Sequence, residues 1–144
     1  MAVSNMPAIW PLRTAWQAGD MLLFSSTAFV SLFSALSHLA ENHKHGMPGI
    51  GLSRTISRAL NRCDVLGCFI AGAAYGLRLY QASLVISENA TLLAFCLLPF
   101  PLNLISESDH SPATRRRYMI THMAWHMSIF TAMGVIMPYI TRPT

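Results

Sequence analysis

The sequence predicts an all-α fold, a polytopic transmembrane helical bundle of about four spans, and three features carry that prediction. The chain is 53% hydrophobic and only 11% charged, with a mean hydropathy of +0.41, whereas a soluble domain is about 25% charged. It contains a twenty-residue run, 21–40, without a charge. Its polar residues gather into short clusters between apolar runs rather than alternating with them. With 144 residues, one domain accounts for the whole, because four spans of about 20 residues already use more than half of it.

Span one is 21–40, bounded by Asp20 and Glu41. At 1.5 Å per residue it covers about 30 Å, the thickness of a bilayer core. Arg13 precedes it, but the run is longer than a signal-peptide core and no clean cleavage site follows, so a retained span is expected. From Glu41 to Cys63 the chain is polar, broken by Gly46, Pro48, Gly49 and Gly51. Leu52, Ile56 and Leu60 then face away from Arg54, Arg58 and Arg62, which predicts a segment lying along the headgroups.

Span two, 64–80, opens at Asp64 and ends near Arg78, and its Gly72/Gly76 step suits close backbone packing. A polar turn at Ser87–Asn89 leads to span three, 91–105, where Pro99 and Pro101 predict a kink. Span four, 118–140, ends by Pro138. Trp10 and Tyr139 are expected at one membrane interface.

Seven of the ten Lys/Arg residues (Lys44, Arg54, Arg58, Arg62, Arg115, Arg116 and Arg117) fall in loops 41–63 and 106–117. The positive-inside rule therefore puts both loops in the cytosol and both termini across the membrane, in an endomembrane or the plasma membrane. The net charge of +4 reflects this arrangement and not nucleic acid, since the basic residues do not interleave with aromatics. Cys63, Cys68 and Cys96 form no pair of metal-binding or disulfide spacing and read as packing residues.

The chemistry lies at the span ends. His122 and His126 stand at i, i+4 and face one way, a spacing at which two imidazoles can hold one metal ion. Ser34 and His38 repeat the spacing on span one, where the serine can bond an imidazole's second nitrogen. Asp64 is a carboxylate at a hydrocarbon edge, costly there unless paired, hydrated or near a cation, and also able to cap its own helix. The predicted topology returns all these residues to one membrane depth. His43, His45 and His110 read as solvated loop residues, Asn89-Ala-Thr91 as a glycosylation pattern too near a span for use, and the methionines of span four as packing surface.

The order Ser34-Ala-Leu-Ser-His38, a basic connector into Arg62-Cys-Asp64-Val-Leu-Gly67, and His122-Met-Ala-Trp-His126 resembles the superfamily of alkaline ceramidases, progestin and adipoQ receptors and haemolysin III-like proteins. The resemblance implies Zn2+ as cofactor, with His38, His122 and His126 as its ligands. It also implies that Asp64 orients water or serves as base and that Ser34 supports the site. The implied function is a zinc-dependent membrane hydrolase of amide- or ester-linked lipids.

Members of that superfamily usually have seven spans and this sequence offers four, lacking one leading span and two before the HxxxH span. Loss of an even number there keeps the histidines on one side, but it leaves an open bundle expected to self-associate or to bind partner membrane subunits. Two other functions compete: a haem-binding helical bundle with histidine axial ligands, and a non-catalytic accessory subunit of a membrane complex.

Overall fold

Asp20 ends one helical segment and begins the next, and that junction sets the arrangement of the chain. The computed structural model describes residues 2–40, 49–82, 90–106 and 112–141. In order these form a 3₁₀ segment Ala2–Ala8, α1 Ile9–Gln17, α2 Met21–Ala40, α3 Arg54–Gln81, α4 Ala90–Leu97, α5 Pro99–Ser106, a 3₁₀ turn Pro112–Thr114, and α6 Arg115–Ile140. No strand occurs among the described residues.

Two of these helices, α2 and α6, are long and apolar enough to cross a membrane. They correspond to the first and fourth expected spans. α3 carries Arg54, Arg58, Arg62, Asp64 and Arg78, and the apolar stretch Ala90–Ser106 is shorter, so neither reaches the same measure. Among the described residues, two of the four expected spans are thus helices of spanning length and apolarity.

Two boundaries, the starts of α3 and α6, differ from expectation. The basic segment after Leu52 is not a separate helix lying across the end of span two, because it runs without a break into it as α3. Ser53 caps this helix by accepting from the Ile56 N–H at 3.3 Å, and no glycine or proline intervenes before Gly67. α6 begins three residues before Tyr118, and it continues past Pro138 to Ile140. The third segment breaks at Leu98, directly before Pro99, as the prolines predict. His43, His45, His110, Lys44 and Asn89 lie outside the described residues.

α2 and α3 pack antiparallel along their whole lengths. Ser57 Oγ donates to the Ala40 carbonyl at 3.0 Å, tying the last turn of α2 to the first turn of α3. Deeper in, a Cβ on Gly67 would meet the Val30 Cα at 3.0 Å, and Tyr75 Oη bonds Thr27 Oγ1 at 3.2 Å. At the far end Asp20 both caps α2, accepting from the Leu23 N–H at 3.1 Å, and holds Arg78, whose Nε lies 2.7 Å from Oδ2. The Gly72/Gly76 face, which the sequence suits to self-association or a partner helix, is open within the chain, where a Cβ at either meets nothing within 4 Å.

α6 does not touch α2 through its backbone, for no Cα of one lies within 8 Å of a Cα of the other. The space between them is filled at one end by the N-terminal residues, where no element was expected. The 3₁₀ segment and α1 fold back antiparallel to α2 at the Gly19 turn (φ +68°) and pack against both α2 and α6. Trp10 lies flat enough on α6 that a Cβ at Gly134 would stand 2.6 Å from its ring. A side chain there would force overpacking, a cost of about 1–3 kcal/mol.

The Asp20–Arg78 pair generates a test. Burial raises the Asp20 carboxyl's pKa, but the Arg78 guanidinium and the Leu23 and Leu22 N–H groups outweigh it, and the net pKa is lowered. A carboxylate depressed in the folded state contributes its full stability above the unfolded value of about 3.9 and loses it as pH falls through the lower folded value. Asp20→Asn should therefore cost about 1–3 kcal/mol at neutral pH and flatten the acid limb of the stability profile below about pH 4. Thermal melts of the detergent-purified protein across pH read this directly, and an unchanged acid limb would contradict the assignment.

Candidate metal centre

The gap between α2 and α6 is closed near the end of α2 by side chains. His38 stands two residues before the end of α2, and its length lets it reach across to α6. Its Nε2 lies 2.9 Å from Nε2 of His126 and 3.2 Å from Nε2 of His122. The i, i+4 spacing on α6 presents both partners to it on one helical face. Ring centroids are 4.8–5.0 Å apart for all three pairs. His122 and His126 are buried, His38 is half-buried, and the three donor atoms fall within 4.8 Å of one another.

The outward nitrogens are held by serines. Ser34 Oγ, one turn before His38 and 1% exposed, lies 3.5 Å from His126 Nδ1, so it supports the partner's imidazole across the gap rather than the one on its own helix. Ser106 Oγ, at the end of α5 and also buried, lies 3.3 Å from His122 Nδ1. Ser106 spends its only proton on the Asn103 carbonyl at 2.8 Å. Its oxygen must therefore accept from His122, which puts the imidazole hydrogen on Nδ1 and leaves the Nε2 lone pair facing the centre.

With that tautomer His122 turns an Nε2 lone pair toward His38, the kind of atom through which an imidazole holds a cation. A tetrahedral metal with bonds of about 2.0–2.1 Å needs nitrogens roughly 3.3 Å apart. The two edges that meet at His38, 2.9 and 3.2 Å, are within a few tenths of that, and all three donor atoms lie within 4.8 Å of one another, so the rings would readjust around an ion. The three histidines fit a metal ion, and nothing in three imidazoles singles out which metal.

Of the residues chosen from sequence, the structure gathers Ser34, His38, His122 and His126. Asp64 stands outside the donor set. The α2–α3 register, with Ser57 beside Ala40 and Gly67 beside Val30, puts half-buried Asp64 at the height of Phe33 and Ser34, one turn from His38 along the axis. Ser106 was not found from the sequence, where it appears only as the first polar residue of a linker. Its separation of sixteen residues from His122 carries no periodic signal.

Comparison with known proteins adds kinship. The chain is 41% identical over 138 residues to a protein of Acanthamoeba polyphaga mimivirus described as uncharacterized protein L282, a match covering 92% of this chain and 91% of that protein. The chain belongs to the family of that protein. No protein-family model and no solved structure matches it.

Because Ser106 fixes the His122 tautomer, Ser106→Ala should lower the affinity of the centre for Zn2+ by about 10–100-fold, the usual cost of losing a hydrogen-bonded support behind a ligand. Competitive chelator titration measures it. Equal affinities in variant and parent would show that Ser106 does not orient the imidazole.

Proposed function

We propose that this chain, sharing its family with the mimivirus protein, is a zinc-dependent, multi-pass integral membrane hydrolase acting on an amide- or ester-linked lipid. The observation that carries the reading is the convergence of three imidazoles, His38 bringing its Nε2 to the Nε2 atoms of His122 and His126, while the Nδ1 atoms of the latter two are turned toward buried serines on α5 and α2. The ordered Ser34, His38, Asp64, His122 and His126 pattern, and its resemblance to the alkaline ceramidase superfamily, supplies the reaction class.

In this reading His38, His122 and His126 hold zinc and leave one coordination position open. When bound, zinc supplies Lewis acidity and makes water nucleophilic near neutral pH. Ser34 and Ser106 keep two of the ligands in the required tautomer. Asp64, carried to the same height by α3, orients water or takes its proton. Zinc is favoured because neutral imidazoles suit it and it tolerates an open fourth position.

The site lies at the end of α2 from which Arg115, Arg116 and Arg117 also project, so it faces the cytosol under the positive-inside rule. The substrate approaches from the membrane, and self-association or partner subunits complete the walls of the bundle. A haem reading is disfavoured by the rings themselves. A tetrapyrrole needs its axial imidazoles on opposite faces of a plane, and here Nε2 atoms lie 2.9 Å apart with no gap between them.

Purified protein should hold roughly one equivalent of zinc, and the triple His38→Ala, His122→Ala, His126→Ala variant should hold none. Asp64→Asn should keep the metal while lipid hydrolysis falls by about 100-fold or more. Equal zinc content in parent and triple variant would end the metal reading. Zinc binding without hydrolysis of any amide or ester lipid would favour a non-catalytic accessory subunit.

A further inference from the structure

The register between α2 and α3 moves two arginines to an unexpected depth. With Ser57 beside Ala40 and Gly67 beside Val30, Arg58 lies alongside Leu39 and Arg62 alongside Ala35. These side chains therefore flank the last turns of α2, level with His38, instead of lying beyond them. Both are exposed, and neither forms an ion pair among the described residues. In a membrane-spanning bundle a guanidinium at this depth needs an anion or water, since hydrocarbon offers neither.

The surface around them has the shape and polarity of a lipid. Thr55, Arg58, Ala59, Arg62 and Cys63 line a groove of about 460 Å³, with Ala59 as its small floor. Arg58 and Arg62 are one turn apart, so their planar forks can close on the same phosphate from two sides. The same stripe of α3 continues inward as Leu66 and Phe69, 52% and 73% exposed, with Val65 beside them at 50%. A basic head end followed along one helix face by an apolar track matches a phospholipid, while inorganic phosphate would leave the track bare.

We infer that the outer face of α3 binds one anionic phospholipid, its phosphate between Arg58 and Arg62 and an acyl chain along Val65, Leu66 and Phe69. The site rests on the membrane reading above and not on the metal or the hydrolytic chemistry. It lies on a different surface from the histidine cluster, which faces the gap between α2 and α6.

Native mass spectrometry of the full chain tests it, after exposure to vesicles of phosphatidylglycerol or of phosphatidylcholine, with and without inorganic phosphate. The parent should retain phosphatidylglycerol over phosphatidylcholine, and each arginine lost should weaken that preference about fivefold. The double variant Arg58→Gln, Arg62→Gln should thus show almost none. If the double variant yields no folded protein, Arg62→Gln alone answers, with the fivefold loss expected. An equal retention of both lipids by the parent, a preference that survives the substitutions, or displacement of the lipid by inorganic phosphate would each overturn the site. Protein that partitions into no vesicle at all would overturn the membrane reading itself, a separate result.

Discussion

The arrangement depends on a gap. α2 and α6 stand too far apart for backbone contact, and near the end of α2 they are bridged by side chains, His38 and Ser34 from one helix and His122 and His126 from the other. Everything else in the chain either holds that distance or exploits it. The N-terminal segment wedges the other end open, with Trp10 seated where α6 offers Gly134 instead of a side chain. α3 fixes α2 from outside through contacts spread from Ser57 to Arg78. Were α2 and α6 in direct ridge-to-groove contact, at an interaxial distance of about 8–10 Å, three imidazoles would have no room to meet tip to tip.

The chemistry of the bridge follows from which nitrogen carries each proton. Ser106, committed to Asn103, can only accept from His122, and the Nε2 lone pair on the opposite side of the ring then faces His38. Were an ion held there, its affinity and the cohesion of α2 with α6 would be one quantity, because the histidines that would bind it stand on both helices.

Much of this was legible in the sequence wherever a signal is local. Asp20 and Glu41 punctuate α2 so cleanly that its bounds follow from charge alone. The i, i+4 pairs Ser34/His38 and His122/His126 follow from helical periodicity. Pro99 broke its helix where proline chemistry requires. Features set by tertiary contact were not legible. Residues 2–17, with Pro7 and Pro11 among mixed apolar and polar neighbours, acquire their place only because a gap exists to receive them. The close approaches within the chain fall at Gly67 and Gly134, whose roles depend on which face each helix turns to its neighbour and so carry no local signal. Ser34 was legible as a support, but not that it serves the histidine on the opposite helix.

The central claim is that three imidazoles, and no other protein group, hold one metal ion between α2 and α6. X-ray absorption at the zinc edge of the purified protein reads this most directly. The account predicts three nitrogen scatterers at about 2.0–2.1 Å, outer-shell features of imidazole rings, and one further light atom. Sulfur scatterers at about 2.3 Å, or a spectrum without imidazole features, would contradict it.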